Sequence, residues 1–187
     1  MIQVVAVGGG VNPDRLHALA ADLARTFGVR CHVRDGVVDA AFARDAERGQ
    51  YHSTAILRRL GELAVDPGVR VLGVTAHDLF VPIFTFVFGE AQLEGHCAVV
   101  SWYRLEEEHY GLPADEGKLR ERLRKEAVHE LGHTFGLHHC EDWRCVMASS
   151  HGVERLDVKG AEFCEGCGRV ISAGQGMPGA FGVVRRP

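Results

Sequence analysis

Long hydrophobic runs are scarce in this chain of 187 residues. A helix that spans a membrane needs about 20 consecutive apolar residues, and the apolar run at residues 1–7 supplies only about a third of that length. The run also lacks a basic flank and a small-residue cleavage site. We therefore interpret it as the first strand of a sheet and expect neither a membrane partner nor a secretion signal.

An excess of basic residues is also missing. The sequence has 21 Lys and Arg against 25 Asp and Glu, so its formal net charge is -4 at pH 7. This balance gives no general attraction to nucleic acid or to an anionic membrane. Basic and aromatic residues do not interleave either, which argues against a cysteine-knuckle module that binds nucleic acid.

The remaining composition is that of an ordinary soluble globular protein, with 46% hydrophobic and 25% charged residues. A chain of this length can build one substantial core but not two large domains. We therefore predict a single domain over residues 1–187.

Strand and helix patterns alternate through the first half of the chain. Short β-rich runs occur at residues 2–8, 29–33 and 69–75, and amphipathic helical patterns occur at 13–27 and 56–64. This alternation predicts an α/β fold in which the first three strands are parallel. The glycines at 8–10 indicate a tight turn and not a phosphate loop, because no G-x-G-x-x-G pattern or Lys-Ser/Thr pair follows.

The segments around this pattern carry weaker signals. Residues 35–51 have no clear period and are predicted to be a loop. Pro82 favours a sheet-edge position for a strand over 83–88, and residues 96–103 are predicted to form the fifth strand. The acidic run at 106–108 is predicted to be a solvated turn.

A long helix is predicted from Asp115, which can cap its first turn. Its apolar stripe repeats every four residues, at Leu119, Leu123, Ala127, Leu131 and Phe135. The basic residues at 118–125 interleave with glutamates, so they indicate a solvated face and not a polyanion site.

The end of this helix carries the pattern H-E-x-x-H-x-x-G-x-x-H, formed by His129, Glu130, His133, Gly136 and His139. Two histidines one helical turn apart can meet one zinc ion, and the glutamate beside them can serve as a general base. Gly136 can reverse the chain and bring His139 back as a third imidazole.

Three histidines leave one coordination position for water, which is typical of a catalytic zinc. The alternative is a helix that carries stray surface histidines, and a pattern of this length makes it the weaker interpretation.

Four cysteines follow in metal-ligand spacing, at Cys140, Cys145, Cys164 and Cys167. Four thiolates can close a structural zinc site, and large apolar residues become fewer here, so we expect the metal to stabilise this segment. The alternatives are free cysteines, disulfides, or Cys140 as a fourth ligand of the histidine site. Beyond Cys167 the glycine-rich sequence predicts a tail or loose extension.

These motifs together resemble the archaemetzincins, a family of metzincin-clan zinc metallopeptidases. The likeness rests on the histidine pattern, on Met147 after it, and on the cysteine spacing; residues 73–75, 78–80 and 86–91 add to it. It implies a metzincin-like zincin fold with a mixed five-stranded sheet, an antiparallel edge strand, and backing and active-site helices. A small zinc-stapled C-terminal lobe would complete it, with residues 1–136 and 137–187 as subdomains.

The resemblance also implies that Met147 lies in a turn beneath the zinc and that residues near 84–91 bind an extended peptide. A loop that simply covers this edge is the alternative. No tyrosine stands near Met147 to assist the zinc.

The sequence therefore predicts a peptidase with two Zn²⁺ ions, one catalytic at His129, His133 and His139 and one structural at the four cysteines. Glu130 is the predicted base, and aminopeptidase action is one option. We expect a cytoplasmic monomer that acts on peptides or small proteins. The competing hypothesis is a catalytically silent protein that keeps the zinc architecture and binds peptides or acts as a scaffold.

Overall fold

The computed structural model describes residues 1–64, 66 and 68–175. Its helices are α1 (Pro13–Phe27), α2 (Ser53–Gly61), α3 (Glu116–Thr134), α4 (Val153–Val158) and α5 (Glu165–Gln175). Its strands are β1 (Ile2–Val7), β2 (Cys31–Val38), β3 (Arg44–Asp45), β4 (Gln50–His52), β5 (Arg70–Thr75), β6 (Leu79–Phe80), β7 (Gly89–Ala91) and β8 (Cys97–Ser101). Within the described ranges, none of the helices is long and apolar enough to cross a membrane.

The main sheet has the strand order β2, β1, β5, β8, β7. Strands β2, β1, β5 and β8 are parallel to one another. Strand β7 is antiparallel to β8 and pairs Gly89 with Val100 and Ala91 with Ala98. This confirms the predicted α/β class and the mixed five-stranded sheet with an antiparallel edge strand. A second, small sheet contains β3, β4 and β6.

Strands β1, β5 and β8 are buried along almost their whole length. Helices α1 and α3 cover one face of the sheet, and α2 covers the other. A strand covered on both faces needs apolar residues at successive positions, which explains continuous runs such as Val4 to Val7 in β1.

The predicted edge strand over 83–88 is wrong in position. Residues 82–85 form a turn and bends, Val87 makes an isolated bridge to Leu79, and the regular edge strand is β7. The guanidinium of Arg48 donates to the carbonyls of Phe84 and Thr85, which holds this segment as a loop.

The loop predicted over 35–51 is also corrected. Strand β2 continues to Val38, and the short strands β3 and β4 lie within the predicted loop or at its end. Strands of two or three residues are too short to produce an alternating pattern, so periodicity does not reveal them.

Helix α3 begins as predicted. The Asp115 side chain accepts a hydrogen bond of 2.9 Å from the backbone N–H of Lys118. The stripe Leu119, Leu123, Ala127 and Leu131 is buried, and Phe135 lies just beyond the last helical residue and stacks on Phe27. This packing fixes the rotation of the helix about its axis.

The face of α3 predicted to be solvated contains two buried cations. Arg122 forms ion pairs with Glu107 at 2.6 Å and with Asp157 at 2.7 Å, and Lys125 donates to the carbonyls of Leu156 and Asp157. Glu107, at the centre of the acidic run predicted to be a solvated turn, is itself buried. The correction has a simple cause, because α4 covers this face with residues that lie about 30 positions later in the chain.

The C-terminal segment differs from its prediction in two respects. Residues 165–175 form helix α5, so the predicted tail is wrong there, and residues 176–187 lie outside the described residues. Val146, Met147, Leu156 and Ile171 are buried in the same core cluster as α1 and α3. Apolar packing therefore contributes to holding this segment, together with any metal.

Candidate active site

The first two predicted ligands lie one turn apart near the end of α3. The His129 side chain is buried and the His133 side chain is half-buried. The Nδ1 atom of His129 lies 2.9 Å from the carbonyl oxygen of Val146, and that of His133 lies 2.6 Å from the carbonyl oxygen of Leu137. A carbonyl can only accept, so both rings carry their proton on Nδ1 and leave Nε2 free to bind a metal.

The two Nε2 atoms face each other at 3.2 Å. Tetrahedral zinc with Zn–N bonds of about 2.0–2.1 Å requires about 3.3 Å between two ligand atoms. The spacing of these two imidazoles therefore fits a shared zinc ion.

The chain reversal after α3 brings in the third histidine. The N–H of Gly136 donates to the carbonyl of His133, and the N–H of Leu137 donates to that of Gly132, which is the Schellman arrangement of a helix end. Gly136 has φ of 86°, a left-handed conformation that favours glycine. As a result His139 is exposed, and its ligand atom lies within 4.8 Å of those of His129 and His133.

The surroundings of these imidazoles favour their neutral form. Loss of solvation, which is least complete at His139, lowers the pKa of His129, His133 and His139, and the positive charge of Lys159 lowers the pKa of all three further. Neutral imidazole is the form that binds a metal, so the site favours metal over protons.

Glu130 is buried beside the two helical histidines, directly below the edge strand. A Cβ placed on Gly89 of β7 would lie 2.6 Å from Cγ of Glu130, so strand and carboxylate are in close contact. Burial raises the pKa of Glu130 well above its usual range, and the neighbouring charge of Glu126 raises it further.

Met147 lies beneath this arrangement and is fully buried. Its sulfur packs against Gly132, between the two helical histidines, and its carbonyl accepts from the N–H of Cys140 at 2.9 Å. The predicted turn methionine is therefore in contact with the floor of the site.

The four predicted cysteines form a second cluster, with all sulfurs within 4.8 Å of one another. Sγ of Cys140 lies 3.8 Å from Sγ of Cys164, and Zn–S bonds of about 2.3 Å in a tetrahedron give about this separation. The backbone N–H of Cys167 lowers the pKa of Cys164 to about 7, whereas burial raises the pKa of Cys140 and Cys167. All four are free thiols, so this donor set fits a closed zinc site.

Sequence similarity identifies the family of this chain. The model of peptidase family M54 matches residues 26–173. The chain belongs to this family, the archaemetzincins. Among its relatives is the archaemetzincin of Methanocaldococcus jannaschii, 40% identical over 161 residues, which are 85% of this chain and 86% of the relative.

Two solved archaemetzincin-like structures match the fold over nearly the whole chain. A zinc-dependent peptidase from Methanocorpusculum labreanum has a TM-score of 0.83 at 28% identity and covers 91% of this chain and 100% of its own. The archaemetzincin of Archaeoglobus fulgidus has a TM-score of 0.77 at 37% identity and covers 91% and 99%. These matches confirm the metzincin-like fold that the resemblance implied.

Two contacts at the site escaped sequence reasoning. The Glu90 carboxylate, on β7, accepts from the hydroxyls of Ser53 and Thr54 and so ties the edge strand to the start of α2. Lys159 pairs with Glu126 beneath the histidines. Glu126 lies one turn before Glu130, which is a local signal, but no pattern marks Lys159 as its partner.

Proposed function

We propose that this chain is a zinc metallopeptidase that hydrolyses peptide bonds at the site formed by His129, His133 and His139. The observation that carries the proposal is the pair of His129 and His133 Nε2 atoms 3.2 Å apart, on the helix that also contains Glu130. Family membership supports the same activity, since the match covers residues 26–173.

A zinc ion at the three histidines would polarise the scissile carbonyl and lower the pKa of its water toward about 7. The backbone carbonyls of Val146 and Leu137 orient the two helical imidazoles toward it.

Glu130 is the proposed general base. It accepts a proton from the attacking water and passes that proton to the leaving amine. Burial raises the pKa of Glu130, which makes the carboxylate a stronger proton acceptor. The close contact with Gly89 places the carboxylate directly below the strand that we expect to hold the substrate.

The substrate in this proposal is an extended peptide that pairs with the outer edge of β7. This strand is the last of the main sheet, and strand addition at a sheet edge is a common way to hold a peptide backbone. The three hydrogen bonds of Glu90 to Ser53 and Thr54 fix the position of β7 relative to the body of the protein.

A second, structural zinc is proposed at the four cysteines, which makes two ions per chain. The sulfur positions support a four-thiolate site, because all four Sγ atoms lie within 4.8 Å of one another. All six cysteines are free thiols, which is consistent with a reducing cytoplasm. Within this proposal residues 1–136 and 137–187 form two subdomains of one monomeric domain.

A catalytically silent peptide-binding protein is the second candidate. The observation that favours it is the burial of Glu130, which is only 7% exposed. Such a protein would bind zinc and peptides but would not release cleavage products.

A peptide-library digest separates the two functions. We expect zinc-loaded protein to cleave peptides and Glu130→Gln to abolish turnover while retaining zinc, because an amide cannot accept the water's proton. Glu121→Gln, an exposed change on the same helix, is the control and should keep full activity. Mass spectrometry of the digest and metal analysis of each variant give the readouts, and equal turnover in Glu130→Gln would refute the proposed base.

A further inference from the structure

A buried ion pair lies beneath the three histidines. Nζ of Lys159 is 3.1 Å from Oε1 of Glu126, and their side chains are 2% and 5% exposed. Glu126 stands on α3 one turn before Glu130, and Lys159 directly follows α4. The pair therefore connects the active-site helix to a part of the chain 33 residues later.

The same ammonium group makes a second contact, which involves the segment that supports the histidines. Nζ of Lys159 donates to the carbonyl oxygen of Ala148 at 3.2 Å. Two residues earlier, the carbonyl of Val146 accepts from Nδ1 of His129. Between them, Met147 packs against Gly132. Lys159 thus joins α3 to a three-residue segment, 146–148, in which Val146 contacts His129 and Met147 contacts Gly132.

We propose that Lys159 is a positioning residue for the metal site: its ammonium group, paired with Glu126, holds segment 146–148 so that the Val146 carbonyl aims the His129 imidazole. This inference rests on the proposed metal function of the three histidines. It assigns no direct contact with substrate or metal to Lys159.

The chemistry of the pair supports a positional role. Two charges lose their hydration when they are buried, and an apolar pair of similar volume is often at least as stable. A buried pair whose cation also binds a backbone carbonyl fixes direction, which apolar packing does not.

The central variant is the double change Glu126→Gln/Lys159→Met, which removes both charges and leaves neither of them unpaired. We expect it to fold and to bind metal at the histidine site roughly 10- to 100-fold more weakly, the usual effect of losing a group that orients a ligand. Zinc affinity is measured by chelator competition with the cysteine site filled. A second readout is the visible spectrum with Co²⁺ at the histidine site, which should change because the His129 ring is no longer held in place.

Two further variants test the interpretation. Lys159→Arg keeps the positive charge and a hydrogen-bond donor, so it should bind metal at the histidine site more tightly than the double variant does. Lys125→Met is the matched control, because Lys125 is equally buried and donates to the carbonyls of Leu156 and Asp157 but not to segment 146–148. It should lower stability and leave the Co²⁺ spectrum unchanged.

The outcomes distinguish this inference from the proposed function. If wild-type protein binds metal at the histidines and the double variant has the same metal affinity and Co²⁺ spectrum, the positioning role of Lys159 is refuted and the proposed function still stands. If wild-type protein binds no metal there, both proposals fail. Should the double variant not fold, Lys159→Arg takes its place, because it leaves no buried charge unpaired but changes the donor to the Ala148 carbonyl, and it must show a smaller but measurable loss of affinity.

Discussion

The sulfur of Met147 lies 2.5 Å from the point where a Cβ on Gly132 would stand. Real Cβ atoms essentially never make so short a contact, so a side chain at Gly132 would have to displace Met147. Gly132 is the residue just before His133, and Met147 immediately follows the residue whose carbonyl holds His129. Close packing between these two residues therefore controls both helical ligands.

Gly132→Ala should destabilise the zinc-loaded protein by roughly 1–3 kcal/mol, the usual cost of overpacking a core. Adding Met147→Val, whose side chain ends at Cγ and so lacks the sulfur and Cε that collide, should recover part of this loss. Denaturant unfolding of the three proteins measures both effects. Gly61→Ala is the control, because its added methyl group would find its nearest neighbour at 3.9 Å.

Graded chelation should remove two zinc ions in separate steps. The histidine site has three protein ligands and an open position, whereas the four thiolates form a closed site that exchanges slowly. A mild chelator should therefore take one ion first and abolish peptide cleavage, with little change in the thermal midpoint. Metal analysis at each chelator concentration is the measurement, and loss of both ions together would contradict the two-site assignment.

Cys164→Ser should weaken both metal sites. Loss of one thiolate opens the proposed structural site. Cys140, a member of that site, directly follows His139, and its N–H donates a hydrogen bond to the carbonyl of Met147. We expect a lower thermal midpoint and a several-fold weaker zinc affinity at the three histidines. Cys31→Ser, a half-buried cysteine outside the cluster, should change neither. An unchanged thermal midpoint and an unchanged zinc affinity in Cys164→Ser would show that the two sites are independent.

Arg122→Met should destabilise the protein strongly. The change leaves Glu107, which is 7% exposed, without its buried partner, and it also breaks the pair with Asp157. Removing one member of a buried pair costs about 3–5 kcal/mol, and the partial exposure of Asp157 places the expected value near the lower end. Arg120→Met is the control on the same helix. Arg120 pairs with Asp22, but its own side chain is 60% exposed, so its loss should lower the free energy of unfolding much less. Equal effects in equilibrium unfolding would contradict the buried role of Arg122.

The sequence could predict the histidine site because its information is local. His129, Glu130 and His133 share one helix, and Gly136 supplies the reversal within the next turn. The cluster of four cysteines is also predictable from the sequence, because metal ligands occur at short, characteristic spacings. Because these features depend on a few neighbouring residues, the structure brings the three histidines together and the four cysteines together, and their metal roles stay a prediction.

Contacts between distant residues were not predictable in the same way. Arg122, Lys125 and Lys159 have an ordinary polar pattern, and only the docking of α4 onto α3 turns them into buried cations. The edge strand was misplaced for a related reason. Its position is set by pairing with β8 and by loop contacts from Arg48, and not by the local preferences of residues 83–88.

The short length of β7 has a further consequence for how the protein behaves at high concentration. An open strand edge invites pairing with any other extended chain, including a second copy of the same protein, and long flat edges promote aggregation. Strand β7 has only three residues and turns away at Gln92 to Gly95, so it exposes few unpaired backbone groups. An extended chain that pairs only with β7 would therefore gain little, and under the proposed function this edge would favour peptides that also contact the metal site.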